Sequence, residues 1–437
     1  MTAREAMPNA YVPGQGNLSE GDAALVARRE RALGPAYRLF YETPLHLVRG
    51  EGVWLYDAAG EAYLDTYNNV ASVGHCHPRV VAAMAGQAAT FASHTRYLHE
   101  AVLDYSERLL ATVPAALSHM MFTCTGSEAN DLALRIAREH TGGTGIIVTE
   151  NAYHGVTLAV SGFSPSLGPG VPLGEHVRTV PAPDPALGAR TGAVFAAGVQ
   201  AAIDDLTRHG IRPAVLIVDT IFSSDGVIPD PAGFLAPAAE AIRAAGGLFI
   251  ADEVQPGFGR TGAGMWGFAR HGVVPDMVSL GKPMGNGYPV AGLILRPEVV
   301  ARFGAKGRYF NTFGGNAVAA TTAAAVLDVI EDEGLIENAR LTGAYLAEGL
   351  RTLATRFPAL GPIRGAGLFV GADIVDGDAP DAALTHRVVN ALRQARVLIS
   401  ATGASANTLK IRPPLVFARD HADIFLDRFE TVLKALS

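Results

Sequence analysis

From about residue 80 to residue 300, short apolar runs alternate with segments of helical spacing: MMFTCTG, EANDLALRIAREH and GIIVTE, then AVLIVDT, FLAPAAEAIRAA, LFIADEV, DMVSLGK and VAGLIL. Unbroken apolar runs suit strands buried on both faces, and the segments between them supply helices to cover those faces. The pattern therefore predicts an α/β fold around a mainly parallel sheet. Residues 36–66 read differently, as short alternating runs with turns in HLVRGEGVWLYDAAGEAYLD, where Ala58-Ala59-Gly60 separates two strand-like stretches of a small antiparallel ribbon. After about residue 315 come long Ala/Leu-rich helical stretches and a strand-like GAGLFVGADIV. A terminal helix follows, with Ile424, Phe425, Phe429, Val432, Leu433 and Leu436 on one stripe. These features predict a smaller α+β domain built from both chain ends. The organisation expected is an arm and short helix over 1–35, with the helix at about Ala23–Leu33. The first part of the small domain follows over 36–75, a large domain over 76–325, and the rest of the small domain over 326–437.

Composition narrows the function classes. The 437 residues are 49% hydrophobic and 18% charged, with a formal charge of −7 and no Lys/Arg-rich run. Nucleic acid and anionic membrane surfaces need concentrated positive charge, so small-molecule chemistry is the expectation. Cys76 and Cys124 stand far apart without a CxxC pair, which fits a reducing compartment. The opening residues lack the apolar stretch of a signal peptide, and no later run approaches about 18 uninterrupted apolar residues. A cytoplasmic location is expected. Only four of the 35 basic residues are lysines, namely Lys282, Lys306, Lys410 and Lys434, so each can be weighed singly.

Ligands of open parallel sheets bind beyond the carboxyl ends of the strands. MMFTCTG runs into Gly126 and Ser127 just before a helix, LFIADEV ends in Asp252 and Glu253, and DMVSLGK ends in Lys282. Lys282 follows an apolar strand inside a Gly/Pro-rich loop. Desolvation there lowers an amine's pKa and makes it nucleophilic, although a lysine whose stem covers apolar surface fits the same setting. Gly126 and Ser127 offer free backbone N–H groups to a phosphate, and Thr125 with Glu128 has the spacing of a capping box; the two readings are compatible. Asp252 is a carboxylate at a strand terminus that meets either a cationic partner or the N–H groups of the next turn. Tyr153 of AYHG either stacks on a planar ring or packs in the core. GFGRTG at Gly257–Gly262 matches the dinucleotide fingerprint, but Gln255-Pro256 separate it from its strand and AGMWGF is a poor helix start. His75, His77, His94 and His99 show no third clustered ligand, so no metal is expected.

Together these motifs resemble the class III aminotransferases of pyridoxal-phosphate fold type I, from about residue 36 to the end. The resemblance makes Lys282 of SLGKP the lysine in Schiff-base linkage with pyridoxal 5'-phosphate, and Asp252 of ADEVQ the partner of its ring nitrogen. Val254 and Gln255 are expected against the ring, Gly126 and Ser127 at the phosphate, and Tyr153 on the ring face. Thr312 of NTFGGN resembles the residue that reaches the phosphate from a neighbouring subunit, which implies an obligate homodimer. Arg412 of LKIRPPL matches the family's carboxylate-binding arginine; its alternative is to brace the loop before Pro413-Pro414.

The stretch IFSSDG, with Phe222 and Ser224, departs from the acidic segment of glutamate-using relatives. The resemblance then favours an ω-transaminase that moves nitrogen from a terminal amine or ω-amino acid to a 2-oxo acid such as pyruvate. YNNVASVGHCHP, HTRYLHE and SEANDLALRIAR also resemble the alanine–glyoxylate branch and the phospholyases that eliminate phosphate from phosphoethanolamine-like amines. Arg96 and Arg412 are candidates there for the phosphate. SGFSPSLGPG, where an SPYK-like stretch is expected of a phospholyase, ranks elimination second.

Overall fold

A computed structural model of the chain describes residues 7, 9–14 and 16–436; residues 1–6, 8 and 15 of the expected arm, and Ser437, lie outside the described residues. The short helix runs over Glu20–Leu33 and begins earlier than its apolar spacing suggests. Cap chemistry sets its start, because the Ser19 hydroxyl accepts the Asp22 N–H at 3.0 Å. Strands β1 (Leu47–Glu51), β2 (Trp54–Asp57) and β3 (Ala62–Asp65) form the antiparallel ribbon, with residues 58–60 in the β2–β3 turn.

The large sheet contains β4 (His119–Thr123), β5 (Gly145–Thr149), β6 (Val177–Val180), β7 (Pro213–Asp219), β8 (Leu248–Asp252), β9 (Met277–Leu280) and β10 (Ala291–Leu295), in the order β4-β10-β9-β8-β7-β5-β6. Helices Gly126–Thr141, Thr191–Arg208 and Ala236–Ala244 provide crossovers, so the strands they join lie parallel. Between β9 and β10 there is only one short turn of helix, and β10 accordingly returns antiparallel to both β9 and β4. Since β4 and β9 both oppose β10, they point the same way. The carboxyl ends of β4, β7, β8 and β9 therefore share one rim.

Alternation along these strands feeds two cores. Ile146, Val148, Val215, Ile217, Leu248 and Ile250 pack under helix Gly126–Thr141, whereas Ile147, Leu216, Val218, Phe249 and Ala251 face the opposite layer. Each buried Ile, Leu or Phe contributes roughly 1.5–3 kcal/mol relative to exposure, which holds the rim rigid.

The C-terminal part adds β11 (Leu360–Ala366), β12 (Phe369–Asp376), β13 (Ala379–Pro380), β14 (Val397–Leu398), β15 (Ser400–Thr402) and β16 (Thr408–Ile411). The stretch GAGLFVGADIV is not one strand. Gly367, at φ 54°, turns the chain between β11 and β12, a left-handed position that a two-residue period does not reveal. β14 lies parallel to β3, with Val397 opposite Leu64, so the ribbon and the chain's end share one sheet. The terminal helix Arg419–Leu436 buries Phe425, Phe429, Val432 and Leu433 and leaves Ile424 and Leu436 partly covered. Helix Ala317–Asp332 runs unbroken across residue 325, where the sequence pattern places a domain boundary.

Candidate active site

The rim is assembled by register. Asp219 and Asp252 lie side by side as Cα partners at the ends of β7 and β8, and Asp252 pairs with Ser279 of β9, three residues before Lys282. At the end of β4, Thr125 caps helix Gly126–Thr141 as expected: its hydroxyl accepts the Glu128 N–H at 3.2 Å, and Glu128 Oε2 accepts the N–H groups of Cys124 and Thr125 at 2.7 and 3.1 Å. The cap leaves the next amides free. Ser127 Oγ accepts the Val156 N–H at 3.1 Å, so its proton remains available to an anion.

A cavity of about 320 Å³ opens above this rim, lined among others by Gly126, Ser127, Tyr153, Asp252, Val254, Gln255 and Lys282. That volume suits a small cofactor with its substrate. The walls are close-set: a Cβ on Gly126 meets Val254 Cγ2 at 2.9 Å, and one on Gly155, at φ 140°, meets Ser127 Oγ at 2.4 Å. Lys282 itself has φ 27°, a strained conformation for a side chain of this kind. Burial lowers the pKa of its amine, the Arg412 charge lowers it further, and Asp252 and Asp219 oppose the shift.

Asp252, 4% exposed, is held on both oxygens. Oδ1 accepts the Val254 N–H at 3.1 Å; Oδ2 accepts Asn130 Nδ2 at 3.0 Å and faces His154 Nδ1 at 2.7 Å. A carboxylate only accepts, so Nδ1 bears the histidine proton. Asn130 also donates to the His154 carbonyl at 2.8 Å, locking the pair together. The neighbouring acid is structural: Glu253 is fully buried, accepts Thr220 Oγ1 and the Gly267 and Phe268 N–H groups, and burial pushes its pKa up to about 7. An amine, a carboxylate, an anion-binding turn and the Tyr153 ring in one crevice are the donor set that pyridoxal 5'-phosphate requires, and they fit it.

Three candidates stand outside the lining. Arg412, 6% exposed, sits behind Gln255, donating to Gln255 Oε1 and, at 3.0 Å, to the Tyr67 carbonyl. Thr312 is exposed on a loop beside the β4 end. Arg96 is exposed and lies 3.7 Å over the Phe310 ring. GFGRTG folds as consecutive turns, and no helix begins at its end. His75 and His77 each face an acid, Asp65 at 2.7 Å and Glu333 at 3.1 Å.

Sequence reading missed Asn130, His154, Asp219 and Lys410. Asn130 follows Gly126 by one helical turn, and Asp219 ends a recognised strand; both were within reach of the pattern. Lys410 precedes Arg412 by two residues, a spacing that puts both side chains on one face of β16 and its extension. It is 7% exposed, its amine lies 5.7 Å from the Phe369 ring centre, and burial drives its pKa well down. Asp219 and Asp225 attract Lys410 from a distance; among the described residues no carboxylate oxygen lies within 4.0 Å of Lys410 or Arg412.

A sequence model of class III aminotransferases matches residues 40–433. Alanine–glyoxylate aminotransferase 2-like of Drosophila melanogaster is 41% identical over 426 residues, covering 93% of this chain and 86% of that protein. The ethanolamine-phosphate phospho-lyase homolog 1 of Caenorhabditis elegans is 36% identical, covering 90% of this chain and 89% of that protein. A phospholyase from Arthrobacter, solved in complex with phosphoethanolamine, is 44% identical with a TM-score of 0.92, covering 94% of this chain and 100% of that one. With likeness of this extent added to the crevice around Lys282, the protein belongs to the class III aminotransferases, α/β enzymes of fold type I that work with pyridoxal 5'-phosphate.

Proposed function

We propose that the enzyme takes the amino group of a terminal primary amine or ω-amino acid and delivers it to a 2-oxo acid such as pyruvate, and that Lys410 and Arg412 receive the anionic end of the substrate. The observation that carries the second part is the pair of buried basic side chains that, among the described residues, have no acid at ion-pair distance. Burial disfavours their charged forms and lowers both pKa values, and a carboxylate arriving with the substrate favours the charged forms again.

Pyridoxal phosphate, when bound, supplies an electron sink for the electron pair released at the substrate carbon. Asp252, its orientation fixed by His154 and Asn130, would be the acid that holds a protonated ring nitrogen. Gly126 and Ser127 would hold the phosphate by amide and hydroxyl donors, and Tyr153 and Val254, which line the same cavity, would bound the ring. Lys282, its amine neutral more readily because burial lowers its pKa, would take the proton from the amino-bearing carbon and hold it at Nζ for delivery to a different atom, since returning it to the same carbon regenerates the substrate. Thr312, exposed and outside its own chain's lining, serves the phosphate of a second copy in a homodimer; exposed Tyr97, Leu98 and Phe313 supply apolar surface for that contact.

A second reading, elimination of phosphate from a phosphoethanolamine-like amine, is supported by the Arthrobacter neighbour and by a dicationic end that suits phosphate as well as carboxylate. One experiment separates them. The yellow holoenzyme is mixed with a panel of amines and phosphoethanolamine without an acceptor, and the cofactor spectrum and phosphate release are followed. Stoichiometric bleaching restored by pyruvate is expected; sustained phosphate release without an acceptor overturns the first reading in favour of elimination.

A further inference from the structure

The GFGRTG loop, which matched a dinucleotide motif and bears no such site, holds an unusual residue. Arg260 is 1% exposed and is among the largest fully buried side chains. Its Nη1 donates to the Leu368 carbonyl at 3.1 Å and to the Pro413 carbonyl, while Nε and Nη2 have no partner among the described residues. No carboxylate oxygen among those residues lies within 4.0 Å of it. The two unpartnered nitrogens are fully enclosed, so the guanidinium is not itself a ligand site.

Its two acceptors explain where it acts. Pro413 follows Arg412, and Leu368 precedes Phe369, the ring beneath both Lys410 and Arg412 at 5.7 and 5.5 Å. The backbone closes the same joint, since the Leu368 N–H donates to the Arg260 carbonyl at 3.1 Å and a Cβ on Gly367 meets that carbonyl oxygen at 2.5 Å. One guanidinium nitrogen that donates to carbonyls of two separate segments ties those segments to each other as well as to the loop. Burial pulls the Arg260 pKa down to about 9, and the Arg412 charge adds to that, so the two guanidinium groups feel one another.

We infer that Arg260 is a positioning residue for the anion end of the substrate: it ties the GFGRTG loop to the segments bearing Lys410, Arg412 and Phe369 and adds positive potential behind them, so that it sets affinity for anionic substrates without touching them. This rests on the assignment of Lys410 and Arg412 proposed above. Arg260→Lys keeps a basic group but not the planar guanidinium whose Nη1 reaches both carbonyls; Arg260→Met loses both.

The test uses purified holoenzyme with β-alanine and its methyl ester as paired donors, reading the cofactor spectrum, kcat and KM, with Lys410→Met as a reference. Arg260→Lys is expected to keep the yellow band and kcat while raising KM for β-alanine about tenfold and leaving the ester unchanged, with Arg260→Met at least as severe. Equal loss for acid and ester, or none for either, overturns the inference and makes Arg260 a structural brace. If wild type and Lys410→Met both treat acid and ester alike, the anion end itself is refuted and the inference falls with it. Should Arg260→Met fail to fold, the lysine variant decides alone.

Discussion

The crevice has two sides built on opposite principles. On the rim of the large sheet the acids are engaged: Asp252 has three partners, the helix start is capped reciprocally by Thr125 and Glu128, and Glu253 is met by three donors. On the β16 side, Lys410 and Arg412 are buried basic groups with carbonyl, amide and ring contacts but, among the described residues, no acid at ion-pair distance. The contrast fits a cofactor that stays and a substrate that leaves. A resident group is served by donors held at fixed angles, because preorganised dipoles need not rearrange during reaction. A transient anion is better served by charge left uncompensated until it arrives, since a resident acid competes with it.

Breaking the rim side gives the largest effect. Lys282→Ala is expected to cut turnover by about 10⁴-fold or more and to abolish borohydride fixation of the cofactor to the protein; fixation that survives places the linkage elsewhere. Asp252→Asn keeps the shape but removes the charge, with an expected loss of roughly 10²–10³-fold in kcat; a mild effect shows that the carboxylate only organises the loop. On the other side Arg412→Ala is expected to weaken carboxylate-bearing acceptors roughly 10–100-fold and simple amines little, measured as kcat/KM for each; equal losses reduce Arg412 to a brace for Pro413-Pro414.

The smallest effect concerns stability alone. Glu253 has its pKa raised from 4.5 to about 7 by burial, so its contribution is full below pH 4.5 and is lost as pH rises through about 7. Glu253→Gln removes that titration. The stability difference, wild type minus variant, should therefore fall by at most ~3 kcal/mol between these pH values in chemical denaturation. A flat difference shows that the three donors keep the carboxylate ionised throughout.

Local chemistry was legible residue by residue. The parallel sheet, the ribbon, the capped turn at Gly126, and Asp252 and Lys282 at strand ends follow from apolar runs, period-two alternation and cap spacing, all of which act over a few residues. The Gly367 hairpin and the earlier helix start at Glu20 were missed because one left-handed residue or one side-chain cap overrides spacing. Asp219 and Asn130 stood at positions the pattern marks, but nothing local names the partner that gives Asn130, or His154, its role. Asn130 and His154 gain their roles from Asp252, more than 90 residues away.

The sequence by itself determined the fold class, the family and which residues stand at the strand ends, because strand ends and helix caps are written in a few neighbouring residues. Tertiary structure alone decided that GFGRTG is a buried joint rather than a phosphate loop, and that Arg412 lies behind Gln255 with Lys410 beside it. It also decided that these basic groups, drawn from a sheet far along the chain, stand near Lys282 with no acid partner among the described residues. Charge pairing depends on distances across the fold, and those distances are set by how the two sheets pack, not by neighbours in the chain.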